Sequence, residues 1–408
     1  MTGARAANSA AAASFTYSMD LSQTSFRGSS LTIADFEQSV REALATWAAV
    51  ANLNFTEASG AGAAPRSHIY IETTSAPVSG APSSWGQPGG VIGYGGQRNF
   101  GEGGFQRYAW QDAAETWAPF GSGGTNYFLV AGHEIGHALG LPHNSNGTQL
   151  MNPTISRQKG VYEGDIEAMV AIYGEREWTN GADDIFMKYV QVGQTVKAKG
   201  GNDTILATSK ADTIYGGAKR NDDIASSAYN DRIFDSLGSN KIDAGDNDDI
   251  IVGGAGKTDA RGGSGNDIII GGKGDDTLNG GGGNDTIRGD AQESFFYGDD
   301  VITAGRGNDF LEGGGGSDTF VFRPGEGTNT IATLRISGNN PNNTAATGAD
   351  FESGVDVVDL RAFDFDSRLE AFMNVRDANG NAQFSSQGTT IIFYDLNLAD
   401  LSENDFLV

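Results

Sequence analysis

From Ala198 the sequence repeats every nine residues: two frames to Tyr215, eight from Gly217 to Arg288 and three from Phe295 to Val321, with Gly216 and Gly289–Ser294 interposed. The clearest copies are GGSGNDIII from Gly262, GGKGDDTLN from Gly271, GGGGNDTIR from Gly280 and GGGGSDTFV from Gly313. The sixth position is an aspartate or asparagine in every frame but one: Asp203, Asp212, Asp222, Asp231, Asn240, Asp249, Asp267, Asp276, Asp285, Asp300, Asp309 and Asp318, with Thr258 the exception. The eighth is apolar from Ile205 to Phe320. No single nonapeptide can bury a core, but a stack of them can, so this period dictates a solenoid of short parallel strands. A flexible glycine-rich linker would have no use for the apolar eighth position. Repeats two apart should share a side of the roll, pairing Asp267 with Asp285.

In each good copy the glycines (Gly262, Gly263 and Gly265; Gly271, Gly272 and Gly274; Gly280, Gly281 and Gly283) permit the tight turn. The aspartates, among them Asp249, Asp267, Asp276, Asp285, Asp309 and Asp318, join turn carbonyls as oxygen donors suited to Ca²⁺. Early copies such as AKGGNDTIL and SSAYNDRIF lack some of the glycines and are expected to be poorer calcium sites.

A second constraint lies upstream, in Thr125–His143 (TNYFLVAGHEIGHALGLPH). Its run Tyr127–Ala131 predicts a buried helix, with Thr125 or Asn126 at its start. His133 and His137, four residues apart, leave one face about a turn apart. Gly140 allows the positive φ that ends the helix and brings His143 round as a third nitrogen. Three nitrogens on tetrahedral Zn²⁺ leave one position open, the mark of a catalytic and not a structural zinc. Glu134 sits where a carboxylate can take a proton from a water activated by the metal. Met151 follows in Leu150-Met151-Asn152-Pro153, and the metzincin pattern that this stretch resembles implies a methionine turn there as structural support beneath the ligands.

The length of 408 residues suits two or three domains. We expect one at 1–178, the repeat region at 179–321 and a tail at 322–408. Up to Asn180 there are 15 acidic and 9 basic residues, and beyond it 37 and 18, so most of the net charge of −25 lies with the repeats. That sign is wrong for nucleic acid or an anionic membrane surface and right for collecting cations. There is no cysteine, which excludes disulfides and thiol chemistry and leaves bound calcium as the staple. No apolar run reaches the roughly 18 residues of a membrane span, and Met1–Ser14 does not read as a secretory signal.

Between these landmarks, Ser14–Asp20 alternates like a half-buried strand and Leu31–Leu53 reads as an amphipathic helix. Its expected cap is Thr32, and its buried face Phe36, Val40, Leu44 and Trp47. His68–Glu72 is a short strand whose histidine reads as packed or exposed. Gly90–Gly95 reads either as an edge strand to which an extended peptide could add or as a flexible surface loop.

The pattern His133-Glu134-x-x-His137-x-x-Gly140-x-x-His143 with Met151 resembles the metzincin peptidases over about Phe15–Gly174. The likeness is to matrixins in Thr46–Glu57, Gly124–His143 and Asp165–Gly174. It implies that Asp112 and Glu115 match two matrixin calcium ligands. It also implies that Tyr94 and Trp110 stand where matrixins carry histidines for a second, structural zinc, which should be absent. Pro153 follows the matrixin turn, and the zinc-binding tyrosine of serralysins is missing. The nonapeptides resemble RTX repeats, and the tail resembles that of serralysins in Asp350–Phe363 and in its closing Asp405-Phe406-Leu407-Val408, read there as an uncleaved export signal. The implied fold is an α+β metzincin catalytic domain followed by an all-β parallel β-roll with a C-terminal β cap. The implied protein is a secreted, extracellular zinc metalloendopeptidase using Zn²⁺ and Ca²⁺. Its expected partners are protein or peptide substrates and a type I secretion machinery. The alternative is a calcium-dependent extracellular scaffold or adhesin-like protein whose peptidase acts mainly in self-processing.

Overall fold

The computed structural model describes residues 12–21, 32–58, 69–74, 93–99, 105–112, 117–118, 125–144, 149–153, 161–179, 181–217, 222–235, 237–291, 298–336 and 344–408. The chain divides into two units, Met1–Glu177 with Phe186–Val192, and Trp178–Ile185 with Gly193–Val408.

The first unit is α+β. Strand β1 (Ala13–Asp20) leads into helix α1 (Ile33–Val50) and then β2 (Leu53–Glu57), β3 (Ile69–Thr74), β4 (Gly93–Asn99) and β5 (Phe105–Asp112). The sheet order is β2-β1-β3-β5-β4, parallel except for β4, which lies antiparallel at the edge. The edge-strand reading therefore holds, displaced a few residues toward the C-terminus. Thr32 caps α1 in a reciprocal capping box with Asp35. Phe36, Val40, Leu44 and Trp47 are each no more than 2% exposed and form the buried face that their spacing predicts. That face meets helix α2 (Tyr127–Ala138): Phe36 and Tyr127 rings stand 4.0 Å apart, and Trp47 Nε1–H donates to Gly132 O at 3.0 Å. Helix α3 (Glu163–Tyr173) ends at Gly174, whose φ of 85° stops it.

The second unit is a β-roll. Two sheets, of ten and eleven strands among the described residues and parallel except for the last two strands at one end of the larger, take alternate nonapeptides. Each coil therefore spans two repeats: Ile242 aligns with Ala260 and Leu278 in one sheet, and Ile251 with Ile269 and Ile287 in the other. These eighth-position side chains are 0–2% exposed and fill the space between the sheets. Gly263, at φ 119°, shows why the turn demands glycine, since a Cβ there would overlap the carbonyl oxygen of Gly245 in the preceding coil. The tail continues both sheets through Val357–Asp359, Phe406–Leu407, Gly327–Ile331 and Thr389–Phe393. An antiparallel meander and a cluster of buried rings, Phe320, Phe351, Phe363, Phe384, Phe393 and Phe406, close that end. No helix among the described residues is long and apolar enough to cross a membrane.

Candidate active site and aspartate ladders

Helix α2 is buried along nearly its whole length, which its uninterrupted apolar start predicts. Its end is a Schellman turn: Gly140 N–H donates to His137 O at 3.0 Å and Leu141 N–H to Gly136 O at 2.9 Å, with Gly140 at φ 104°. The reversal carries His143 back over the helix. One ligand atom each from His133, His137 and His143 lies within 4.8 Å of the others, and His133 Nε2 and His143 Nε2 are 3.3 Å apart. Two nitrogens each about 2.0–2.1 Å from a tetrahedral zinc would themselves stand about 3.3 Å apart. The set fits zinc.

The protonation of the rings is fixed by what lies behind them. His133 Nδ1 is 2.6 Å from Leu150 O, and His137 Nδ1 is 2.7 Å from Leu141 O. A carbonyl oxygen can only accept, so each Nδ1 holds the proton and each Nε2 keeps its lone pair for a metal. Burial holds His137 below the ordinary imidazole range, with the Leu141 hydrogen bond opposing and His143 adding to the depression. Glu134 is 5% exposed, one position round α2 from His133 and outside the histidine cluster.

Met151, 2% exposed, packs against α2. Gly136 leaves room for it, because a Cβ there would overlap the Met151 sulfur, and one at Gly132 would come within 3.1 Å of Leu150. The turn is gripped by Asp165 of α3, 1% exposed, which accepts from Leu150 N at 2.9 Å, Met151 N at 3.2 Å, Tyr162 N at 3.2 Å and Asn144 Nδ2 at 3.0 Å. Burial pushes the Asp165 carboxyl up, and these four donors pull it back. Sequence reasoning missed this aspartate. The only local signal is its place as third residue of the helix.

Of the other expected site residues, Asp112 ends β5 but its side chain lies outside the described residues, as do Glu115 and His68 altogether. Tyr94 and Trp110 are register partners of β4 and β5, their side chains likewise not described.

In the roll the sixth-position aspartates form two ladders. Asp249 N–H donates to Asp267 Oδ1, Asp267 N–H to Asp285 Oδ1 and Asp285 N–H to Asp309 Oδ1, all at 2.8–2.9 Å. On the other side Thr258, Asp276 and Asp300 donate in turn to Asp276, Asp300 and Asp318. Asp267 and Asp285 thus stand on one ladder, two repeats apart. The second carboxylate oxygen has no hydrogen-bond donor in Asp203, Asp231, Asp249, Asp267, Asp276, Asp285, Asp300, Asp309 and Asp318, although each is buried. Such oxygens lie over the first glycine of the turn: a Cβ at Gly262, Gly271 or Gly280 would meet Oδ2 of Asp267, Asp276 or Asp285, and beside it a carbonyl of the next coil. Buried, anionic, donor-free oxygens beside carbonyls are a hard-cation site, so the residues fit calcium. Burial, with neighbouring carboxylates adding to it, pushes Asp249, Asp300 and Asp309 up to about 8. Burial likewise pushes Asp267, Asp276, Asp285 and Asp318 up to about 7.

The early copies are not all alike. Asp203 and Asp231 keep a donor-free oxygen despite their missing glycines. In Asp212 both oxygens are taken, by Thr208 Oγ1 and by Thr208 N and Gln194 N. The chain's own donors satisfy that carboxylate. The fifth position, overlooked in the sequence, forms a further exposed ladder of Asp248, Asn266, Asn284 and Asn308, each accepting a main-chain N–H from the coil above.

Comparison with known proteins agrees with both halves. Residues 10–174 match the matrixin family model. Residues 198–218, 226–257, 261–295 and 296–331 match four copies of the RTX calcium-binding nonapeptide repeat. Human neutrophil collagenase is 34% identical over 148 residues, 35% of this chain and 30% of that protein. Human matrix metalloproteinase-27 is 34% identical over 145 residues, 35% of this chain and 27% of that protein. Rat stromelysin-2 is 42% identical over 78 residues, 18% of this chain and 16% of that protein. The chain therefore spans less than a third of the length of each of these relatives.

Proposed function

Because the chain joins a matrixin domain to RTX calcium-binding nonapeptide repeats, as fits a serralysin-type metzincin, we propose that it is a secreted zinc metalloendopeptidase acting on extracellular proteins. The observation that carries this reading is the triad of His133, His137 and His143, with two of its rings locked by main-chain carbonyls in the metal-binding tautomer. Zinc held there supplies Lewis acidity toward a water and toward the scissile carbonyl. Glu134 takes the proton of the attacking water and delivers it to the departing amine nitrogen. Its burial keeps the carboxylate in a medium where proton transfer is not screened by bulk water. Met151 and Asp165 keep the ligand rings from shifting, so the geometry is set before substrate arrives. Strand β4, antiparallel and at the edge of the sheet among the described residues, is where an extended peptide can pair.

The roll serves folding outside the cell. Calcium binding to the donor-free aspartate oxygens becomes folding free energy, so the acidic chain stays open at low calcium and closes at high calcium. Export through a type I machinery fits this order of events. Within the Asp405–Val408 motif that resembles an export signal, Asp405 and Phe406 are each 0% exposed, with Phe406 paired to Val358, so these two side chains are open to a receptor only before folding.

The test compares wild-type protein with Glu134→Ala on casein and a peptide library, together with zinc analysis. Zinc-dependent cleavage of foreign substrate by the wild type alone supports the reading. Cleavage confined to the protein's own chain would replace it with the calcium-dependent scaffold.

A further inference from the structure

A segment from beyond the matrixin match is built into the catalytic unit. The match ends at residue 174, yet Phe186–Val192 groups with Met1–Glu177. At its centre Tyr189 is 5% exposed, between Met187 at 2% and Val190 at 0%. The Tyr189 ring lies on Phe128 of α2, centroids 3.7 Å apart, and its hydroxyl donates to Glu42 Oε2 of α1 at 2.6 Å. One side chain thus touches α2, which carries His133 and His137, and α1, which packs on it. The main chain of the same segment holds Val161: Val161 N–H donates to Tyr189 O at 3.1 Å and Gln191 N–H to Val161 O at 2.8 Å. Val161 lies between the Met151–Pro153 turn and Tyr162, the N-cap of α3.

The ends of the segment are held elsewhere. Asp184–Phe186 is the edge strand of one roll sheet and Thr195–Lys197 that of the other. Asp183 N–H donates to Asp203 Oδ1 at 2.9 Å and Gln194 N–H to Asp212 Oδ1 at 2.7 Å. The segment is therefore a short loop whose two anchors belong to the first rung of each aspartate ladder. Fixing both ends of a short loop removes most of the entropy it would otherwise lose on docking.

We propose that Phe186–Val192 is a working part of the peptidase, in which Tyr189 is a positioning residue for α2 and the segment's main chain holds Val161 ahead of α3, and that the calcium-folded roll holds this prop in place by its two ends. The kinetic arm rests on the peptidase reading above. The prop bears on Phe128 and Glu42, five and more residues from the histidine motif, so its loss acts on substrate acceptance more than on proton transfer. In the full chain, Tyr189→Ala raises KM for an extended peptide about tenfold and redistributes its cleavage sites, with kcat within about threefold and zinc content unchanged. Tyr189→Phe, which keeps the ring on Phe128, recovers most of that loss.

A second measurement does not need activity. By hydrogen exchange, the amides of Val161 and Gln191 are protected with calcium present. They exchange at least about tenfold faster when calcium is dialysed away with zinc kept in excess, while the amides of α2 stay protected. Wild-type KM and cleavage profile in Tyr189→Ala would overturn the positioning role. Calcium-independent protection of Val161 and Gln191, or equal loosening of α2, would overturn the hold by the roll. A wild type that cleaves nothing would overturn the peptidase reading alone, and the exchange result would still decide the prop.

Discussion

The histidine centre and the aspartate ladders both collect metal ligands, but they differ in what satisfies those ligands when no metal is bound. Behind His133 and His137 stand the Leu150 and Leu141 carbonyls, which fix neutral rings in a usable tautomer. In the ladders nine buried aspartates, among the described residues, keep an oxygen with no donor at all. The protein shapes the first site for its ion. On the reading proposed above, calcium ions shape the second for the protein. Catalysis needs ligands held ready, whereas a domain meant to fold only where calcium is plentiful needs ligands that cannot rest without it.

Removing calcium from the full chain, with zinc retained, should break the contrast open most widely. Each site saturated at about a hundred times its Kd contributes roughly 2.7 kcal/mol, so a few sites exceed the roughly 5–15 kcal/mol that holds an ordinary domain. Circular dichroism should lose the strand signal of the roll, while exchange protection of α2 and zinc content persist. Strand signal that survives chelation would erase the distinction. Acidity should sharpen it. The ladder aspartates are raised to about 7 or about 8 in the folded, calcium-free roll, against about 3.9 when unfolded. The folded state then binds more protons, so their contribution to stability is fully present below about pH 4 and is lost as pH rises toward about 8. The calcium needed to hold the roll, titrated by dichroism, should therefore fall between pH 8 and pH 5. A requirement that grows over that range would show that these carboxyls are not buried as described.

What the sequence made legible follows from how local each feature is. The histidines four apart, the reversal at Gly140 and the two-repeat coil are set within one turn or one period, and periodicity carries them. Asp165 was not legible, because its partners Asn144, Leu150 and Met151 stand 21, 15 and 14 residues away. Gly132 and Gly136 carried a visible spacing, but its meaning lies in Leu150 and Met151 across the fold. The return of Phe186–Val192 to the first unit has no marker, since its contacts depend on where the roll begins. Thr208 was within reach: a hydroxyl four residues before Asp212, in a frame short of glycines, is the local sign of a self-satisfied aspartate.

Asp165→Ala tests whether the first site is held as firmly as the contrast claims. It strands four donors, two of them the main-chain N–H groups of Leu150 and Met151 in a buried turn. The expected loss is about 3 kcal/mol, or roughly 6–12 °C in the melting of the catalytic unit. Zinc affinity should fall with it, because Leu150 also holds His133. Asp165→Asn, which keeps an accepting oxygen, should fall between. A melting point unchanged in Asp165→Ala would mean that the Met151 turn stands without α3.

The smallest effect discriminates within the roll itself, between Asp285 and Asp212. Asp285→Asn keeps the Oδ1 that accepts from Asp267 N–H and removes the anionic oxygen that has no donor. It should lower stability by about 1–3 kcal/mol in calcium. In calcium-free buffer at neutral pH it should leave stability unchanged or raise it, because a buried carboxylate and its repulsion from Asp267 are gone. Asp212→Asn behaves otherwise. Its two oxygens already accept from Thr208 and Gln194, and an amide nitrogen facing the Thr208 N–H leaves that donor unmet. The cost, about 1 kcal/mol, should be the same with and without calcium. Paired melts of the two variants in both buffers read the difference directly. A calcium-dependent cost at Asp212 would mean that Thr208 gives way to an ion, and that the ladder does not distinguish the aspartates the chain satisfies from those it leaves to calcium.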